Sequence, residues 1–70
     1  MEPLRLAVGQ RVRDLRLGAG LKQDEFAEIC GFARSYMSRI ETGGANPSLD
    51  ALEVLAAALK VPVRELFPDR

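Results

Sequence analysis

The chain has 70 residues and a mass of 7.7 kDa, which is enough for one domain and too little for two. Hydrophobic residues make up 47% and charged residues 29% of the sequence, the balance of a globular chain rather than a disordered one. Ten basic and ten acidic residues cancel to a net charge of zero, which as a total argues against a partner that is a polyanion.

Missing residue types exclude several chemistries. The sequence has no histidine and a single cysteine, Cys30, which excludes a disulfide framework and a zinc site of the usual Cys/His type. Histidine-based acid–base catalysis and Ser-His or Cys-His nucleophiles are excluded too, so we expect no catalytic residue, no metal and no cofactor. No apolar run approaches the roughly 20 residues that span a bilayer, and the N-terminus does not resemble a secretory signal, so we expect a cytoplasmic protein.

The first predicted element is an amphipathic helix. Apolar residues recur at spacings of four, four and three in Leu4, Val8, Val12 and Leu15, which is the period of one helical stripe. Two glycines soon after the stripe end the helix.

The second predicted helix begins near Gln23 and is stopped by Gly31. Its first turn carries two carboxylates, which complement the helix dipole. Its buried stripe consists of Phe26, Ala27 and Cys30.

A third helix is predicted from Ala33 or Arg34 to Glu41 or Thr42, and two glycines follow it. Ser48 is a good N-cap for a fourth helix, whose apolar residues also recur at helical spacing. A short fifth helix is predicted with a proline in its first turn. Since no alternating β-branched run of useful length occurs, the fold class is all-α, with five helices.

The spacing between helices two and three is the most informative feature. The small residue Ala27 lies four positions after Gln23, Gly31 follows four later, and the apolar residues Met37 and Ile40 lie six and nine after that glycine. Two helices that cross steeply need a small residue at the contact, and the tight turn needs a residue that tolerates positive φ. The following helix needs inward apolar residues to hold it. This pattern predicts a helix-turn-helix, whose second helix presents its N-terminal residues to the major groove of DNA.

Over most of its length the sequence resembles the Xre-type, lambda-repressor-like helix-turn-helix regulators. The resemblance runs from about Val8 to Phe67 and rests on five motifs in order: V-G-Q-R-V-R-D-L-R, G-L-K-Q-D-E-F-A, R-S-Y-M-S-R-I-E-T-G, N-P-S-L-D-A-L-E-V-L-A-A-A-L-K-V and E-L-F. It implies one five-helix DNA-binding domain over residues 1–70, usually a homodimer on a double-stranded operator with two-fold symmetry, and usually a transcriptional regulator. The segment R-S-Y-M-S is also similar to the small controller proteins of restriction–modification systems.

Candidate base-reading residues lie on the predicted recognition helix, Arg34 to Glu41. Arg34, Ser35 and Ser38 fall on its outer face, and Arg34 is the best candidate because a guanidinium can bond guanine O6 and N7 together. The alternatives are a solvated or phosphate-bound arginine and serines that cap or are merely exposed. Tyr36 is predicted to contact a phosphate or a sugar edge, or to pack on helix two. Arg39 is predicted to reach a base or the DNA backbone, or to form a surface ion pair.

Further roles follow from the family resemblance. It implies that Gln23 binds a phosphate and braces the recognition helix. Asn46, in the loop after helix three, is predicted to donate to another phosphate, to bond the backbone of its Asn-Pro turn, or to do both. The resemblance also implies a partly buried ion pair between Arg16 and Glu41, which positions the helices.

A dimer interface is predicted at the C-terminal end. A fifth helix this short cannot bury Val63, Leu66 and Phe67 together, and exposed apolar surface marks an interface. We expect a two-fold dimer through helices four and five. The alternative is that Leu66 and Phe67 cap the core.

Two other classes of function compete with a DNA-binding regulator. A protein-interaction module, such as an antitoxin, uses the same kind of domain; the sequence ends at Arg70, directly after helix five, which favours the plain regulator. An enzyme is disfavoured by the missing histidine.

The charges are unevenly placed along the chain, since Pro3 to Arg13 and Ile29 to Ile40 contain no acid. The reading face is therefore predicted to be positive despite the neutral total.

Overall fold

Among residues 2–68, four α-helices and one short 3-10 turn form the domain. The computed structural model describes residues 2–68. The elements follow in the order α1 (Leu4–Gly18), α2 (Gln23–Cys30), α3 (Arg34–Glu41), α4 (Leu49–Leu59) and the 3-10 turn η1 (Val63–Leu66). No strand occurs among these residues, so the predicted all-α class is confirmed. Within the same range, no helix combines the length and the hydropathy that a membrane crossing requires.

Helix boundaries follow from local chemistry. Gly31 ends α2 with φ of 74°, the left-handed conformation expected of the turn residue. Ser48 caps α4 as predicted, because its hydroxyl oxygen accepts a hydrogen bond from the backbone N–H of Ala51 at 3.0 Å. The side chain of Lys22 cannot accept such a bond at the start of α2. There the Glu25 carboxylate closes the first turn by accepting from the Lys22 backbone N–H at 2.9 Å.

The fifth helix differs from the prediction. Only Val63–Leu66 are helical, in 3-10 geometry, and Pro62 precedes the turn instead of lying in its first turn. Glu65 N–H donates to the Pro62 carbonyl at 2.9 Å, an i to i+3 bond. Four residues form a single turn, which is too short to nucleate an α-helix, and Phe67 already has extended backbone.

A single core collects the inward residues of all five elements. Its largest fully buried side chains are Phe26, Met37, Ile40, Leu55, Leu66 and Val12. The inward positions predicted for α3 are therefore confirmed. Leu4 departs from the predicted stripe of α1: it is 58% exposed because it lies at the rim of an open groove rather than under another helix.

The crossing of α1 and α3 depends on Gly9. This residue is buried, and a Cβ atom added to it would overlap the carbonyl oxygen of Ile40 and lie 3.1 Å from that of Glu41. A glycine therefore lets α1 touch the last turn of α3 backbone to backbone. The contact fixes α3 against α1, the longest helix among the described residues.

Candidate nucleic-acid interface

α3 has one side buried in the core and one open side that is exposed to solvent. Met37 and Ile40 are 0% and 1% exposed, which anchors the helix in the core. On the opposite side Arg34, Ser35 and Arg39 are exposed, and Ser38 is half-buried. The structure thus places the predicted reading side chains on one accessible surface of a fixed helix.

Tyr36 is half-buried, and its ring packs against Phe32. The two ring centroids are 5.1 Å apart, with the planes at 73°, an edge-to-face arrangement. Its packing partner is thus a residue of the turn before α3. This contact fixes the tyrosine at the edge of the candidate reading surface.

Arg16 and Glu41 form a buried bidentate ion pair. Arg16 Nε donates to Glu41 Oε2 at 2.8 Å and Nη2 donates to Oε1 at 3.0 Å, and the side chains are 8% and 2% exposed. The remaining Nη1 donates to the Leu21 carbonyl at 2.8 Å. The arginine therefore joins α1 to both the segment before α2 and the end of α3.

Gln23 belongs to the same cluster. Its Nε2 donates to Glu41 Oε1 at 3.2 Å, which links the first residue of α2 to the last residue of α3. This contact gives a geometric basis for the bracing role. Asn46, by contrast, is exposed in the loop between α3 and α4. None of the side-chain hydrogen bonds among residues 2–68 involves it.

Sequence reasoning missed the contacts that hold this loop, residues 42–48. Arg5 Nε donates to the Gly43 carbonyl at 3.0 Å, across 38 positions of sequence. From the other side Arg39 Nη2 approaches the Gly44 carbonyl at 3.5 Å. The one signal in the sequence is the acid-free stretch from Pro3 to Arg13, which Arg5 shares with Arg11 and Arg13.

The three residues predicted for a dimer interface have different environments. Val63 is 36% exposed and Phe67 is half-buried, but Leu66 is fully buried in the core. This corrects the prediction for Leu66, whose side chain has no surface to offer a partner. The turn that carries these residues is held by Arg11, whose Nε donates to the Glu65 carbonyl at 2.7 Å and whose Nη2 meets Glu65 Oε1 at 2.9 Å.

Most basic side chains in the described part of the chain have no acidic partner. Within residues 2–68 the two ion pairs are those of Arg16 and Arg11. The arginines on the exposed side of α3, Arg34 and Arg39, therefore form no ion pair with another residue of this range. Burial raises the pKa of the Cys30 thiol to about 11, so this thiol stays protonated near neutral pH.

The paired helices α2 and α3, joined by a left-handed glycine and braced by α1, define a helix-turn-helix domain. Residues 7–67 match the helix-turn-helix domain family, and the chain belongs to that family. It is similar to control protein C.BamHI of Bacillus amyloliquefaciens, with 41% identity over 65 residues that cover 91% of this chain and 80% of that protein.

Solved structures show the same likeness. The restriction-modification controller protein C.AhdI from Aeromonas hydrophila superposes with a TM-score of 0.87 and 43% identity, over 90% of this chain and 96% of that chain. SinR, the master regulator for biofilm formation, solved in complex with DNA, gives a TM-score of 0.80 and 42% identity, over 84% of this chain and 95% of that chain.

Proposed function

We propose that this chain is a sequence-specific regulator of transcription that binds double-stranded DNA as a homodimer, with α3 in the major groove. The observation that carries the proposal is the open side of α3, where Arg34, Ser35 and Arg39 are exposed on a helix whose other side is fixed in the core. The likeness to controller proteins and to the DNA-bound SinR supports it. A regulator of this kind acts where its operator lies, which we propose is the cytoplasm.

Arg34 is the proposed base reader. It is the first residue of α3, and helix-turn-helix proteins contact base edges with the N-terminal residues of this helix. A bidentate contact to guanine contributes about 1–3 kcal/mol of discrimination. Ser35, Ser38 and Arg39 are proposed to contact further base edges or nearby phosphates, and Tyr36 a phosphate at the edge of the surface.

Gln23 and Asn46 are the proposed phosphate contacts. Gln23 begins α2, where free backbone N–H groups and the helix dipole favour an anion. Because its amide also reaches Glu41, a phosphate bound there would be tied to the end of the recognition helix. Asn46 has an unengaged side chain within the described structure and lies beyond the other end of α3.

The proposed dimer uses the exposed sides of α4 and η1. Val63 and Phe67 offer apolar surface there, and Val54 on α4 is 37% exposed. A two-fold axis through this surface would set the two copies of α3 about 34 Å apart, the repeat of the DNA helix.

Selection of bound sequences from a random DNA pool tests the whole proposal. A consensus with two-fold symmetry is expected, together with a dimer in sedimentation at micromolar concentration. Arg34→Ala should relax the preference at one base position, whereas Gln23→Ala should weaken all sites more evenly. Enrichment of no sequence would contradict the proposal and favour the protein-interaction module. A protein that is monomeric in solution and also binds DNA as a monomer would contradict the proposed dimer.

The charge balance adds a quantitative expectation. A chain with ten acids and ten bases holds few phosphates, so we expect weak non-specific binding and reliance on base contacts and dimerisation. The slope of log affinity against log salt should be shallower than for a strongly basic domain of equal size. A steep slope would contradict the expectation of few phosphate contacts.

A further inference from the structure

The first turn of α1 supports the loop that follows the recognition helix. Gly43 has φ of 81°, and a Cβ atom on it would lie 3.0 Å from the Cα of Leu6, so the loop lies directly against α1. Arg5, the neighbour of Leu6, donates from Nε to the Gly43 carbonyl at 3.0 Å. This hydrogen bond holds the guanidinium of Arg5 against the loop.

The loop is fixed to α3 as well. The Arg39 carbonyl accepts from the backbone N–H groups of Gly44 at 2.8 Å and Ala45 at 3.1 Å, and the Arg39 side chain approaches the Gly44 carbonyl. Ala45 is buried. Arg5 therefore lies beside a rigid extension of the recognition helix, and its position relative to α3 is set.

The outer part of the Arg5 side chain remains available for a ligand. Its contact with the loop uses Nε alone, which leaves both Nη groups and four N–H donors. Arg5 and Asn46 line the same open groove, so a guanidinium and a primary amide face one region of surface. Both side chains are exposed, and no acid lies between Pro3 and Arg13.

We propose that Arg5 binds a phosphate of the DNA backbone and forms, with Asn46, a clamp at the loop between α3 and α4. This inference rests on the proposed function. The two Nη groups of an arginine match the oxygens of a phosphate and bind them with charge-assisted hydrogen bonds. Arg5 lies just before residue 7, where the match to the shared domain begins.

The salt dependence of DNA binding tests the clamp. Affinity for the selected operator is measured at several salt concentrations for the natural chain, for Arg5→Gln and for Lys60→Asn. Lys60→Asn removes the same charge at the end of α4, where φ is 60° and asparagine is tolerated. Loss of one phosphate contact per subunit should reduce the slope for Arg5→Gln by about 0.9 for each half-site, and Lys60→Asn should leave it unchanged. Equal slopes for Arg5→Gln and Lys60→Asn would overturn the proposal.

A second measurement separates phosphate binding from support of the loop. One operator phosphate at a time is replaced by an uncharged methylphosphonate. At one position per half-site the substitution should weaken the natural chain and Arg5→Lys, yet leave Arg5→Gln unaffected. The proposal fails if the methylphosphonate at every position weakens DNA binding by the natural chain and by Arg5→Gln equally. It also fails if Arg5→Gln changes the selected base sequence, because Arg5 would then act only on the loop. Failure of the proposed function is distinguishable, because the natural chain would then select no operator.

Discussion

Two arginine–glutamate pairs join α1 to the rest of the domain, and they differ mainly in burial. The Arg16–Glu41 side chains are 8% and 2% exposed, whereas those of Arg11 and Glu65 are 39% and 43% exposed. Each arginine also donates to a backbone carbonyl, that of Leu21 in the first pair and of Glu65 in the second. The two pairs therefore make nearly the same hydrogen bonds, but one pair is shielded from solvent and the other is not.

The comparison shows that similar contacts can perform different tasks. Removing one partner of a buried pair leaves a charge without solvent or counter-charge, so the pair enforces the geometry of α1, α2 and α3. In a half-exposed pair, water replaces the lost partner at little cost. We infer that α3 is held rigidly, while the C-terminal turn is attached by a contact that can open.

Of the substitutions considered, Glu41→Ala should lower the free energy of unfolding the most. The loss of the carboxylate leaves Arg16 buried without its partner and removes the acceptor of Gln23, which costs about 3–5 kcal/mol. A domain of this size has only about 4–10 kcal/mol of stability, so much of it would be lost. Urea unfolding measures the change, with Glu28→Ala at an exposed position of α2 as the control. An unchanged midpoint for Glu41→Ala would remove the distinction between the two pairs.

Gly9→Ala should have the next largest effect, because the buried pair needs the close crossing of α1 and α3. The added methyl group would meet the backbone of Ile40 and Glu41, and overpacking of this kind costs about 1–3 kcal/mol. Gly18→Ala is the matched control. Nothing lies within 4 Å of its new methyl group, and alanine is favoured over glycine in a helix by up to about 1 kcal/mol. Opposite signs of the two changes in thermal midpoint are expected, and a gain in stability for Gly9→Ala would contradict the packing described.

Glu65→Gln should have the smallest effect. The backbone carbonyl at this position still accepts from Arg11 Nε, and only the half-exposed charge contact is lost. We expect a change of less than about 1 kcal/mol, smaller still in high salt. Thermal unfolding at low and high salt measures it. A cost as large as that of Glu41→Ala would mean that exposure does not separate the two pairs.

Much of the fold could be predicted from the sequence because its signals are local. The bounds of α3, the left-handed turn at Gly31 and the Ser48 cap each depend on a few neighbouring residues. Helical spacing likewise identified Met37 and Ile40 as core. The candidate reading surface follows from this, because the exposed residues of α3 lie away from the side that carries Met37 and Ile40.

What the sequence did not reveal depends on distant contacts. Leu66 is buried because α1 and α4 cover η1, and no periodicity within four residues can report that. Arg11 finds its partner 54 positions away, and Arg5 finds Gly43 at 38. Gly9 looked like any residue of an amphipathic helix, since its role comes from the backbone of α3.

The turn η1 links the stability of the fold to the proposed association of two chains. Leu66 fills the core from the same four-residue turn that carries Val63 to the surface proposed for the partner subunit. Pairing of two chains would therefore hold the turn down, and opening of the turn would expose part of the core. Folding and association are then linked by mass action, and the melting temperature should rise with protein concentration.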